Sequence, residues 1–197
     1  MVAPVTIADS VSTQLRLCEL FRSLQGEGPN AGRPATFLRL GGCNLKCGFC
    51  DSRYAWDPAD SVGGFHQRPH DLREVVEAIM ATRPVRLVIT GGEPLLQQGA
   101  LDCMLTQLPD QLPLEIETNG TIRPSATLIQ RGEQWNVSPK LHNSGVPRQH
   151  RLRFDALMAL RGTERAWLKL VVADPSDVSE ADALIEELEW PQRRVMW

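Results

Sequence analysis

The chain reads as an α/β protein, a partial (β/α) barrel of the TIM type with about six mostly parallel strands, open along one side. Three observations predict it. Short apolar runs of strand length recur along the chain, segments with helical spacing lie between them, and the polar, glycine-rich motifs follow the strands. Strands alternating with helices imply right-handed β-α-β crossovers and a parallel sheet. The units are too few to close an eightfold barrel.

The strand candidates, in chain order, are Leu15 to Cys18, Thr36 to Leu40, Val85 to Thr90, Leu114 to Thr118, Trp135 to Ser138, Trp167 to Val172 and Arg194 to Trp197. Leu72, Val75, Val76 and Ile79 recur at i, i+3, i+4, i+7, one apolar stripe that starts after Asp71 as N-cap. Val178, Ala181, Leu184, Ile185 and Leu188 repeat this spacing after Asp174-Pro175-Ser176. Leu101, Leu105 and Leu108 form a third stripe, and Phe154, Leu157 and Leu160 a weaker fourth; a short helix is expected near Ser125 to Gln130. The polar stretch Asp57 to Pro69 reads as a loop. Residues 13–197 are expected to form a single domain behind a flexible N-terminus of residues 1–12. The chain stops at Val195-Met196-Trp197, inside the last strand candidate, so its C-terminus is expected to be truncated.

Composition narrows the class. An apolar fraction of 42% and a charged fraction of 23% are those of an ordinary soluble globular protein. The apolar runs are far too short to span a bilayer, and the first dozen residues lack the apolar core of a signal peptide. A cytoplasmic location is expected, where thiols stay reduced. With 21 basic and 24 acidic side chains the formal charge is −3, so the chain is no electrostatic template for nucleic acid.

Cys43, Cys47 and Cys50 stand in Gly42-Cys43-Asn44-Leu45-Lys46-Cys47-Gly48-Phe49-Cys50-Asp51. A four-iron cluster has four corners for thiolates, so a loop that supplies three leaves one iron open to a small molecule. A structural zinc site with His66 or His70 as fourth ligand is the bland alternative, although such sites usually carry two paired ligand spacings. A disulfide framework suits an odd, sparse set of five cysteines poorly. Cys18 and Cys103, in apolar surroundings, are expected to be buried as small hydrophobes.

In a parallel barrel the loops at the carboxyl ends of the strands converge on one face. Thr90-Gly91-Gly92-Glu93-Pro94, Glu117-Thr118-Asn119-Gly120 and Ser138-Pro139-Lys140 all fall there. The last two would hold a ribose or a carboxylate; as plain turns they would need no ligand. Glu93 reads equally as a solvated turn residue. Lys169, inside an apolar strand, either faces a carboxylate within the barrel or lies on a solvated edge.

The spacing C-x3-C-x2-C with an aromatic residue before the last cysteine, followed by Gly-Gly-Glu-Pro, resembles the radical S-adenosylmethionine (SAM) enzymes. In that family the open iron of a [4Fe-4S] cluster chelates SAM, and an electron from the cluster cleaves it to a 5′-deoxyadenosyl radical. Ser23-Leu24-Gln25-Gly26-Glu27-Gly28, Arg39, Cys50-Asp51-Ser52, Glu117-Thr118-Asn119-Gly120 and Ser138-Pro139-Lys140, in that order, are similar to the 7-carboxy-7-deazaguanine synthase family of the queuosine pathway. The resemblance implies a carbon–nitrogen lyase that converts 6-carboxy-5,6,7,8-tetrahydropterin to 7-carboxy-7-deazaguanine and ammonia, using SAM catalytically. It implies that Leu24, Gln25, Gly26, Arg39 and Thr90 bind substrate, with Arg39 on its carboxylate. It places Phe49, Cys50, Asp51, Gly92, Ser138, Pro139 and Lys140 around SAM, Cys43, Cys47 and Cys50 on the cluster, and Ser52 on Mg²⁺. Ser52 stands where the family usually has threonine and keeps the ligating oxygen. An electron donor such as flavodoxin or ferredoxin and a homodimer are further implied, with no direct nucleic-acid or membrane partner. Two rival readings remain: an activase for glycyl-radical enzymes, and a non-enzymatic iron–sulfur or zinc module.

Overall fold

The computed structural model describes residues 13–60 and 67–197. Its strands are β1 (Gln14–Leu24), β2 (Pro34–Leu40), β3 (Arg68–Asp71), β4 (Leu87–Gly91), β5 (Leu114–Thr118), β6 (Gln134–Val137), β7 (Ala166–Lys169) and β8 (Val195–Met196). They form one eight-stranded sheet in the order β3-β1-β2-β4-β5-β6-β7-β8. From β2 to β8 every neighbouring pair is parallel, which gives the expected open barrel. The helices are α1 (Leu72–Ala81), α2 (Gln98–Leu105), α3 (Ala126–Arg131), α4 (Arg148–Arg151), α5 (Phe154–Arg161) and α6 (Pro175–Glu187).

Helix starts follow their caps. The Asp71 side chain accepts from Arg73 N at 2.9 Å and opens α1. Asp174 and Asp177 form a reciprocal capping box at α6, with Pro175 in the first turn. The helices bury their apolar stripes against the outer face of the sheet, where Leu72, Val75, Ile79, Leu101, Leu157, Leu184 and Leu188 meet Leu87, Ile89, Ile116, Trp135, Val137 and Leu168 in one core. Alternate residues of the same strands point into the barrel.

The sheet register arranges those inward residues in layers. The lower layer is apolar on one side, with Ala35, Phe37 and Val88 packed on Phe21 and the Phe21 and Phe37 rings stacked at 5.1 Å. On the other side it is polar, with Glu115 of β5 paired to Gln134 of β6. The next layer up is polar throughout: Arg39 pairs with Thr90, and Glu117 with Asn136.

Two features depart from the sequence expectations. β3 falls partly in the stretch read as loop, and it pairs antiparallel with β1 to extend the sheet beyond the parallel strands. Its residues, Arg68-Pro69-His70-Asp71, carry no apolar alternation, because an edge strand packs no inner face against the core. Cys18 and Cys103 are half-buried rather than buried. The β1–β2 register shifts between Leu17 and Glu19, so Cys18 is the extra residue of a β-bulge, turned out of the regular alternation. Residues 1–12, read as a flexible N-terminus, and His66 lie outside the described residues. No helix among the described residues is long and apolar enough to cross a membrane.

Candidate active site

Both loops that leave β2 and β4 at the carboxyl end of the barrel depend on glycine. Gly42, at φ +88°, turns the chain out of β2 into the cysteine loop. Its carbonyl accepts from Glu93 N at 2.9 Å, and Leu40 O accepts from Gly92 N at 3.2 Å, which ties the two loops together. A Cβ on Gly92 would lie 2.2 Å from Gly42 O and 2.8 Å from Cys43 Cβ, so only glycine permits this approach. Glu93 is fully buried, which corrects the solvated-turn alternative. It accepts from Leu95 N (3.0 Å), Asn119 N (2.7 Å) and Thr118 Oγ1 (2.9 Å), joining the β4 loop to the β5 loop. Burial pushes its carboxyl up to about 7 despite these donors.

The thiols of Cys43, Cys47 and Cys50 line a cavity of about 360 Å³ above the polar layer of the barrel. Cys50 N donates to Cys47 O at 3.3 Å and Gly48 N to Ser144 O at 2.9 Å, fixing the loop. Leu45 N donates to Cys43 Sγ at 3.5 Å and Trp56 Nε1 to Cys50 Sγ at 3.3 Å. Ser52 Oγ is 3.9 Å from Cys50 Sγ. Burial pushes the Cys43 thiol up to about 11 and raises that of Cys47, which the Lys140 ammonium partly opposes. Binding of iron to these sulfurs therefore releases protons.

Below the thiols, the cavity wall is charged and polar. Thr90 Oγ1 donates to Glu117 Oε2 at 2.7 Å, Lys169 pairs with Glu27, and Lys140 Nζ donates to Ser138 Oγ at 2.8 Å. Burial raises the Glu117 carboxyl and lowers the Lys140 ammonium. The Arg39 guanidinium lies 5.8 Å from the centre of the Phe21 ring, with Nε 3.7 Å from Glu19 and without a hydrogen-bond partner.

The cavity thus collects Arg39, Thr90, Phe49, Cys50, Asp51, Ser52, Gly92, Ser138 and Lys140 with the other two cysteines. Leu24, Gln25, Gly26 and Pro139 do not line it. β1 runs antiparallel to its neighbour, so its carboxyl end lies at the opposite mouth of the barrel. There Leu24, 60% exposed, borders a groove with Pro34, Arg83 and Val85. The chain then turns inward and plugs the barrel floor: Gln25 Nε2 donates to Glu115 at 2.8 Å and to Glu117 at 3.3 Å. Lys169 faces the Glu27 carboxylate, as one of its two readings has it.

Several cavity residues had no role in the sequence reading: Glu27, Trp56, Glu117 as a specific wall residue, and Asn136. A signal existed for Asn136. β6 alternates Gln134 and Asn136 with Trp135 and Val137 although all its residues are buried, so its polar positions mark the inner face of the barrel.

The residues present suit a cluster better than a single ion. Among the described residues no three His, Cys, Asp or Glu side chains converge as one zinc ion requires. Thiolates on separate corners of a cluster stand further apart, and three of them share one loop and one cavity here. A sequence model described as the radical SAM superfamily matches residues 38–138. The chain is 40% identical over 188 residues to 7-carboxy-7-deazaguanine synthase of Hyperthermus butylicus, covering 94% of this chain and 77% of that one. The chain belongs to the 7-carboxy-7-deazaguanine synthase family. A second member, from Pyrobaculum aerophilum, is 36% identical over 94% of this chain and 79% of its own. The crystal structure of QueE from Escherichia coli superposes with a TM-score of 0.69 at 25% identity, over 89% of this chain and 79% of that one. Membership in the synthase family brings a SAM cofactor and a [4Fe-4S] cluster, which Cys43, Cys47 and Cys50 are placed to hold.

Proposed function

We propose that this chain converts 6-carboxy-5,6,7,8-tetrahydropterin to 7-carboxy-7-deazaguanine with loss of ammonia, in 7-deazapurine biosynthesis. The observation that carries this reading is the single cavity that joins the three thiols to Arg39, whose Nε faces Glu19 at 3.7 Å but makes no hydrogen bond, across one layer of barrel residues. A guanidinium held over Phe21, with a buried donor to spare, suits a carboxylate bound beneath the cluster.

The cluster and SAM, when bound, supply one-electron cleavage of the sulfonium and abstraction of a substrate hydrogen. Everything else falls to the chain. Cys43, Cys47 and Cys50 would hold three irons of the cluster. Phe49, Cys50, Asp51, Gly92, Ser138 and Lys140 would surround SAM, with Lys140, buried beside Ser138, as an N–H donor; Pro139, next to Ser138, would shape their loop without lining the cavity. Arg39 and Thr90 contact the pterin, and Thr90 also fixes the Glu117 carboxylate toward it. Gln25 acts through Glu117 rather than by touching substrate. Ser52 would supply an oxygen to a bound Mg²⁺. On the apolar side of the floor, Phe21 and Phe37 exclude water from below the cavity. A small redox protein such as flavodoxin or ferredoxin delivers the electron, and the working unit is a homodimer.

Anaerobically reconstituted, reduced protein with SAM and carboxytetrahydropterin is expected to release 7-carboxy-7-deazaguanine and ammonia without net consumption of SAM. Cleavage of SAM without that product would sink the synthase reading and favour an activase.

A further inference from the structure

A relay of amides runs up one wall of the barrel and ends on a donor without a partner. The Glu115 carboxylate, paired with Arg86 at 2.9 Å, accepts from Asn30 Nδ2 at 2.8 Å. A carboxylate offers no donor, so the Asn30 amide must turn its NH2 toward it. The same Nδ2 donates to Gln134 Oε1 at 2.6 Å. Gln134 is thereby fixed with its oxygen toward Asn30, and its Nε2 donates to Asn136 Oδ1 at 2.9 Å. Asn136 in turn is fixed with its oxygen downward. Its Nδ2 is buried without a hydrogen-bond partner, in a side chain 1% exposed that lines the cavity. Gly28 is built around this pair: at φ +69°, a Cβ there would lie 2.4 Å from Gln134 Nε2 and 2.6 Å from Asn136 Oδ1.

Asn136 pairs in register with Glu117, so one layer of the wall sets a carboxylate acceptor beside an amide donor. That pair complements a ligand edge with an N–H next to a C=O, the cyclic amide of a pterin ring. Resting on the pterin reading above, we infer that Asn136 is a specificity-determining residue. It donates from Nδ2 to the ring carbonyl oxygen of the substrate, and Asn30 and Gln134 are positioning residues that set its polarity from Glu115.

The test uses cluster-loaded protein with SAM, and two probes: carboxytetrahydropterin and its 4-amino analogue, which carries a donor in place of the ring carbonyl. Asn136→Ala should weaken binding of the parent pterin roughly tenfold to a hundredfold and raise KM with little change in kcat. Asn136→Asp keeps the acceptor that Gln134 needs and replaces the donor with a carboxylate oxygen; it should shift the preference toward the 4-amino analogue. Gln134→Glu should turn the Asn136 amide over and weaken pterin binding, but add nothing once Asn136 is alanine. Cluster absorbance and SAM affinity should hold in all three. Unchanged pterin affinity and preference in both Asn136 variants, or equal loss of SAM and pterin binding, would overturn the assignment alone. Wild-type protein that cleaves SAM but binds no carboxytetrahydropterin would overturn the synthase reading and this assignment with it.

Discussion

The indole of Trp56 donates from Nε1 to Cys50 Sγ at 3.3 Å, six residues back along the chain. A hydrogen bond to a ligating sulfur stabilises the reduced, more negative cluster and raises its potential. Trp56→Phe should therefore make the cluster potential more negative by about 40 mV, the equivalent of about 1 kcal/mol for one electron. Redox titration followed by electron paramagnetic resonance checks this; an unshifted potential would show that the contact does not form on the loaded cluster.

Arg39 and Phe21 set the next expectation. Arg39→Ala should raise KM for the carboxylated pterin roughly tenfold to a hundredfold while cluster content and SAM binding stay at wild-type levels. Arg39→Lys should recover little of this, since an ammonium has no planar fork. Loss of the cluster in either variant would mean that Arg39 is structural.

Gly92, on the loop after β4, packs against the cysteine loop. Adding a Cβ 2.2 Å from Gly42 O must push the two loops apart. Gly92→Ala should destabilise the fold by about 1–3 kcal/mol and lower the iron content after reconstitution. Denaturant melts and iron analysis together read the effect.

Glu93 gives a pH dependence. Its folded value, about 7, lies above its ordinary 4.5, so between those values the folded state holds more protons than the unfolded one. Stability is therefore highest at and below pH 4.5 on this account and falls as pH rises toward 7, by about 3 kcal/mol in all. Glu93→Gln should flatten that slope in urea titrations of the cluster-free protein. A slope that persists would assign it to other groups.

Ser52 is the remaining mutational expectation. Ser52→Ala should abolish stimulation of turnover by Mg²⁺ while leaving the cluster spectrum intact, and Ser52→Thr should preserve it. Equal activity of wild type with and without a chelator would remove the ion from the site.

Much of this protein was legible in its sequence. Amphipathic stripes and the Asp71 and Asp174 caps are local, and they located the helices because 3.6-residue spacing and N-cap chemistry do not depend on distant residues. The cysteine loop and Gly-Gly-Glu-Pro were equally plain, since close backbone approach and iron ligation each admit few residue types. Tertiary structure alone decided the rest. It sent the chain after Leu24 inward to plug the barrel, because β1 runs antiparallel and ends at the far mouth. It also brought Glu115, Asn30, Gln134 and Asn136 into one relay. Which way an amide points is settled by its hydrogen-bond partners, and here those partners come from strands and loops up to 104 residues apart.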